Sequence, residues 1–354
     1  MTSPCAAEPA GATEPTEPRS SSWKRAVLRH KRPVLSRSLT QIATSILPYL
    51  ALCVAMAFAY RISPWLVLPL APIAAGFLVR TFIIFHDCTH GSFFRSRRWN
   101  DLLGFATGVL TFTPYHQWRR EHALHHATAG DLDRRGVGDV WTLTVEEYLA
   151  SSRMRRLGYR LVRNPAILFV VAPFWLFVVR YRFPVPSASR AERRWVWGTN
   201  AAILAVAAGA SAAIGIPAYL FIQFAILVVS SAAGVWLFYV QHQFEGVYWQ
   251  RREEWDFVEA ALAGSSYYRL PRVLQWFSGN IGFHHLHHLS PAIPNYNLEE
   301  CHGAHPDFRS VPAVTLRSSL RCLSFRLWDE SRRRLISFRE LRRLRRAGLA
   351  GESS

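Results

Sequence analysis

Cysteine is scarce in this chain: five in 354 residues, Cys5, Cys53, Cys88, Cys301 and Cys322, with no paired spacing among them. That excludes a disulfide framework and the clustered-thiolate sites of iron–sulfur proteins. Acidic residues are also few, 24 Asp and Glu against 42 Lys and Arg, which leaves a net charge of +18. Such a balance can signal nucleic-acid binding. Here, however, the arginines flank apolar stretches and crowd the C-terminal end, which is the positive-inside pattern of a membrane protein with no nucleic-acid partner. The first 22 residues have little apolar content and no apolar core of a signal peptide, and they read as a disordered segment.

What the chain has in quantity is apolar sequence, 50% of it, gathered into long runs. Residues 43–60 and 64–85, and then 196–215 and 218–240, are each long enough to cross a hydrocarbon core of roughly 30 Å. They pair into two hairpins around short polar or Ile-Pro breaks. Residues 102–113 and 166–179 are apolar but too short to span, and read as interfacial or re-entrant segments. Basic residues between Trp23 and Arg37 put the N-terminus in the cytoplasm. Arg80 is expected to snorkel at the cytoplasmic end of the second run. The resulting expectation is an all-α integral-membrane protein of two transmembrane hairpins, with interfacial helices and a cytoplasmic cap. Residues 23–308 form its membrane domain. Residues 309–354 form a basic cytoplasmic tail, either an amphipathic helix on the anionic leaflet or a solvated charged segment.

Of 14 histidines, nine fall in three clusters: His86 and His90; His122, His125 and His126; His284, His285, His287 and His288. Residues at i, i+3 and i+4 share a helical face, so each cluster can aim imidazoles at one point. His285 lies on a different face and reads as a supporting or surface group. The two hairpins put all three clusters, and His242, at helix exits on one side of the membrane. Imidazole alone leaves iron, copper, nickel and zinc open. Eight or nine histidines are too many for one ion and suit two. The Glu-x-x-His pairs of soluble di-iron bundles are represented only by Glu299 and His302.

The surroundings of these clusters resemble the integral-membrane fatty-acid desaturases, especially the acyl-lipid type. His-Asp-Cys-Thr-His-Gly-Ser-Phe-Phe at 86–94 is similar to that family's first histidine box. Pro114-Tyr115 and Trp118-Arg119, leading into His122-x-x-His125-His126, look like the second. Gly279 through His288, with Pro294-Asn295-Tyr296 beyond, looks like the third. The resemblance implies a di-iron centre held by His86, His90, His122, His125, His126, His284, His287 and His288, with His242 as ninth ligand. It departs from the family where relatives carry an asparagine one turn before that histidine: Phe238 stands there, with Gln241 as the nearby polar substitute. Asp87 is expected either to orient a neighbouring imidazole or to face water. Trp236, Phe238 and Tyr239 are candidates to line an acyl tunnel.

The implied reaction is O₂-dependent removal of two hydrogens from an acyl chain, lipid-linked or thioester-linked, giving a cis double bond. No haem-binding His-Pro-Gly-Gly segment or flavin fingerprint occurs. Electrons therefore have to come from a separate donor such as ferredoxin, whose acidity would suit the basic face. The location implied is a multi-pass protein of a bacterial inner membrane, with both termini and the active site cytoplasmic. A related membrane hydroxylase or ketolase, and a histidine-rich metal transporter, remain open at this stage.

Overall fold

The computed structural model describes residues 19–348 except 137. Helix α1 (Arg19–His30) precedes the first hairpin, α2 (Leu35–Ile62) and α3 (Val67–His90). Of the segment expected to be disordered over residues 1–22, residues 1–18 lie outside those described, and residues 19–22 belong to α1. Ser63 in extended geometry and a turn of 3-10 helix, Pro64–Leu66, reverse the chain between α2 and α3. Their contact is built from Tyr49 and Met56 against Val67, Ala71 and Ala74, and Ile222, Ile226 and Leu227 close it from a later helix. Alanines on this face let the backbones approach, as helices in lipid require.

α3 runs one turn further than its apolar run and carries both His86 and His90, ending at Gly91 in the left-handed conformation. Helices α4 (Arg97–Leu110) and α5 (Tyr115–Thr128) follow as an antiparallel pair across a tight reversal. At that reversal Phe112 has φ 57° and Pro114 caps α5. Strand β1 (Leu143–Thr144) leads into α6 (Val145–Ala150) through a capping box between Thr144 and Glu147. Then come α7 (Arg153–Val162), a π-helical turn at Ile167–Val171 and α8 (Ala172–Val178). The chain bends by 61° between α7 and the stretch that follows it, forming a broken span or a re-entrant loop.

The second hairpin is α9 (Arg190–Ile214) and α10 (Ile216–His242), joined at Gly215 (φ 87°). Four helices, Leu35–Ile62, Pro64–His90, Arg190–Ile214 and Ile216–His242, are long and apolar enough to cross a membrane, as the apolar runs predict. The fold is thus mostly helical and membrane-embedded, with a cap over one end.

The cap contains α11 (Phe257–Leu262), β2 (Tyr267–Arg269), α12 (Arg272–Phe277), α13 (His284–Leu289), α14 (Leu298–Gly303) and α15 (Pro306–Arg309). After these come β3 (Ala313–Thr315), α16 (Leu316–Cys322), β4 (Leu327–Asp329), β5 (Arg334–Ile336) and α17 (Phe338–Arg346). β3 pairs in parallel with β2, and β4 pairs with both β1 and β5. The C-terminal stretch is neither a continuous amphipathic helix nor a solvated tail. Leu327, Trp328, Leu335, Ile336 and Leu341 are buried, and Arg163 reaches from the end of α7 to donate to the Phe325 carbonyl at 2.8 Å. Nor does Arg80 snorkel. It is buried, donates to the Trp276 carbonyl and stacks on that ring at 4.0 Å, so it fastens α12 to α3.

Candidate metal centre

Four segments far apart in sequence deliver the histidines. α3 supplies His86 and His90 from its last turn, α5 supplies His122, His125 and His126, and α13 supplies His284, His287 and His288. His242 comes from the last turn of α10. Tyr115 holds the first two segments in register: its hydroxyl donates to the Cys88 carbonyl at 2.7 Å and lies 3.0 Å from Asp101. Trp118 stacks on His122 at 4.2 Å between centroids. Cys88 turns away from the histidines into an apolar cluster with Ile84, Phe85, Phe93 and Tyr115, as its helical position dictates.

The imidazoles sort into two sets. In the first, single nitrogens of His86, His90, His122, His126 and His287 all lie within 4.8 Å of one another. In the second, His125, His242 and His288 do the same, and His284 joins them with its Nε2 at 3.0 Å from that of His242. The Nε2 atoms of His122 and His86 are 2.9 Å apart, those of His126 and His122 3.0 Å, and those of His287 and His126 2.9 Å. Neutral imidazole has one donor and one acceptor nitrogen, so a single Nε2 cannot satisfy two others at once. Such a chain makes sense when each nitrogen presents a lone pair to a cation. Ligands roughly 2.1 Å from a common ion, at right angles to one another, stand about 3.0 Å apart. The Nε2 atoms of His90 and His288 are buried without a hydrogen-bond partner among the described residues, as ligand atoms would be. The donor set therefore fits two imidazole-bound metal ions.

Burial and the neighbouring imidazoles push His122, His126, His284, His287 and His288 well below the usual histidine range. They are neutral at pH 7, the state in which imidazole binds metal. Asp139 Oδ1 lies 2.7 Å from His125 Nδ1 and fixes the opposite nitrogen, Nε2, on the side of His242, 3.2 Å away. Asp87 is buried and does not face water. It lies at the long limit, 3.4 Å, from His86 Nδ1, while its other oxygen accepts from the backbone and side-chain nitrogens of Asn295 at 2.7 and 2.8 Å. The Pro294-Asn295-Tyr296 segment is thereby tied to the first histidine cluster.

His285 is not at the surface. It is fully buried on the far face of α13, 3.2 Å from His302, and burial pushes it down to about 3. Gln241 donates to the Ile281 carbonyl at 2.8 Å and also borders a cavity that reaches the histidines. Asp139 and His302 carry no periodic signal in the sequence; their partners are 14 and 17 residues away across loops.

A cavity of about 530 Å³ opens from the histidines into the helical body. His86, His122 and His284 border one end; Leu78 on α3 and Leu227 on α10 lie toward the other. From Gln241 to Leu227 it follows α10 for roughly 21 Å at 1.5 Å per residue. Phe238 lines it, with its ring 4.9 Å from that of His242. Trp236 and Tyr239, expected beside Phe238 as tunnel residues, are instead packing groups. Trp236 donates to the Tyr268 hydroxyl, and Tyr239 donates to the carbonyls of Cys322 and Phe325. Sequence spacing put all three on α10, but its cavity face takes only Phe238 of the trio.

The sequence model of the family described as fatty acid desaturase matches residues 63–314, a stretch that contains every one of these histidines. The chain belongs to the fatty acid desaturase family. It is 48% identical over 313 residues to the fatty acid desaturase of Bacillus subtilis (strain 168), covering 88% of this chain and 89% of that one. It is 30% identical over 253 residues to the sn-1 oleoyl-lipid 12-desaturase of Synechocystis sp., covering 68% and 69% of the two chains. The chloroplastic omega-6 fatty acid desaturase of Spinacia oleracea is 27% identical over 246 residues, covering 67% of this chain and 53% of the plant one. This desaturase is accordingly an oxidoreductase acting within a membrane, with histidine clusters able to hold metal.

Proposed function

We propose that this desaturase introduces a cis double bond into a lipid-linked acyl chain at a di-iron centre in an O₂-dependent reaction. His86, His90, His122, His126 and His287 would hold one iron, and His125, His242, His284 and His288 the other. Iron there supplies the oxygen chemistry that breaks unactivated C–H bonds, which no side chain of the chain could perform.

The protein's share is positioning. Asp139 keeps the proton of His125 on Nδ1 and its lone pair on Nε2. The cavity receives the apolar chain between Phe82, Leu168, Leu227 and Phe238, and excludes water along it. Its depth decides which methylene pair stops beside His86, His122 and His284. The single observation that carries this reading is that the long apolar cavity starts at the histidines themselves. The active site and both termini lie on the cytoplasmic side of a bacterial inner membrane, following the arginine distribution. Electrons come from a separate acidic donor such as ferredoxin, drawn by the basic face.

Expression in a host with a simple lipid profile, followed by chromatography and mass spectrometry with double-bond localisation, tests the reaction. New monounsaturated acyl chains that disappear in His86→Ala and His288→Ala are expected. Hydroxylated or ketonic products with no new double bond would sink the desaturation reading. Purified protein holding zinc, and no iron, would sink the metal assignment.

A further inference from the structure

α7 is a ten-residue helix that carries no acidic residue and leaves one face without a protein partner among the described residues. Met154, Leu157 and Leu161, at i, i+3 and i+7, form a single stripe and are 75%, 59% and 57% exposed. Arg153 lies beside that stripe and Arg155 beyond Val162 on its other side, both exposed, and neither makes an ion pair among the described residues. The opposite face is the one that packs on the cap. Tyr159 is buried, Arg160 Nε donates to the Tyr148 hydroxyl at 2.7 Å, and the Arg160 guanidinium stacks on Phe338 at 4.6 Å. The polar-looking helix is therefore turned inside out: its apolar stripe faces away from the protein.

Two observations say what covers the stripe. Exposed apolar side chains recur past the bend at Val170 and Val171 on the π-helical turn and at Trp175 on α8, and α7 with residues 167–182 is the bent pair that together is long and apolar enough to enter the bilayer. Every charged residue of α7 is also an arginine, the arrangement of a helix lying in an anionic interface, with apolar side chains among the acyl tails and arginines at the phosphates.

We propose that α7 docks on the anionic lipid surface of the leaflet at which the histidine-bearing helices end. Its last residue, Val162, and its cap, Arg163, line the catalytic cavity, as do Leu168, Pro173 and Trp175 beyond the bend. Docking of α7 therefore holds the cavity wall at the height of the lipid phosphates. That consequence for turnover rests on the proposed acyl site; the docking itself does not.

The full chain is reconstituted in vesicles of phosphatidylcholine alone, or with phosphatidylglycerol added. Nitroxides are placed singly at Met154→Cys, Leu157→Cys and Arg155→Cys, and their collisions with oxygen and with a water-soluble nickel chelate are compared. Positions 154 and 157 should be oxygen-accessible and several-fold protected from nickel, and position 155 the reverse. Added phosphatidylglycerol should deepen 154 and 157, and salt should reverse the change. The double variant Arg153→Gln/Arg155→Gln should lose this dependence on phosphatidylglycerol and salt while retaining wild-type metal content, which shows that it has folded.

Equal nickel access at 154 and 155 in both lipids overturns the proposal in favour of a solvated face. Dipolar broadening between labels overturns it in favour of a second copy of the chain. Protection at 154 and 157 with no effect of phosphatidylglycerol removes the anionic partner. Docking without any new acyl double bond leaves α7 on the membrane and refutes the reaction alone.

Discussion

Asp139 contributes one oxygen to His125 and thereby decides which of that ring's nitrogens carries the proton. Asp139→Asn keeps the side chain's size but removes the charge that makes His125 a stronger electron donor. Metal affinity should fall about 10–100-fold, read by competition with a chelator; unchanged retention would show that Asp139 only shapes its loop. A contrast between neighbours separates ligand from bystander on α13. His288→Ala should lower metal content, whereas His285→Ala should leave it near wild type. The His285 change instead strands His302 and costs about 1–3 kcal/mol, seen as a lower thermal midpoint. Equal metal loss in the two variants would move His285 into the metal site.

The pairing of α4 with α5 depends on glycine. A Cβ at Gly104 would meet the Tyr115 ring at 2.1 Å, and Tyr115 is the group that ties α5 to the histidine end of α3. Gly104→Ala should therefore destabilise by about 1–3 kcal/mol and loosen metal binding together, measured as midpoint and chelator sensitivity on one sample; loss of neither would mean that Tyr115 moves aside freely. Elements of this kind mark where sequence reading reached and where it stopped. The spanning helices announce themselves as uninterrupted apolar runs, and the histidine boxes as i, i+3, i+4 spacing, both local signals. The C-terminal strands do not, because Leu327 and Ile336 are buried by partners such as Leu143 that lie almost two hundred residues earlier. Arginines there looked like a surface tail because pattern cannot show which apolar residues between them turn inward. Phe238 was separable from Trp236 and Tyr239 only once α10 had neighbours.

Across the whole molecule, the histidine cluster proposed to hold metal is the place where the two hairpins and the cap meet, so its protonation bears on the stability of all three. In the metal-free protein, His122, His126, His284, His287 and His288 are held neutral by burial, with proton affinities well below those of the unfolded chain. Below about pH 6.5 the unfolded state binds protons that the folded state refuses, so stability must fall as pH falls. Each such histidine contributes up to about 1.4 kcal/mol per pH unit in that range. The carboxylates whose affinities are depressed, among them Glu147 and Glu300, act in the same direction but only at more acidic pH. The decline between pH 7.5 and 5.5 therefore belongs to the histidines. Bound metal occupies the same lone pairs, and metal-loaded protein should keep its thermal midpoint over this interval while chelator-stripped protein loses many degrees. A stripped sample whose midpoint is the same at pH 7.5 and 5.5 would show that these imidazoles are reached by water, and that the hairpins and cap do not close on one another without metal.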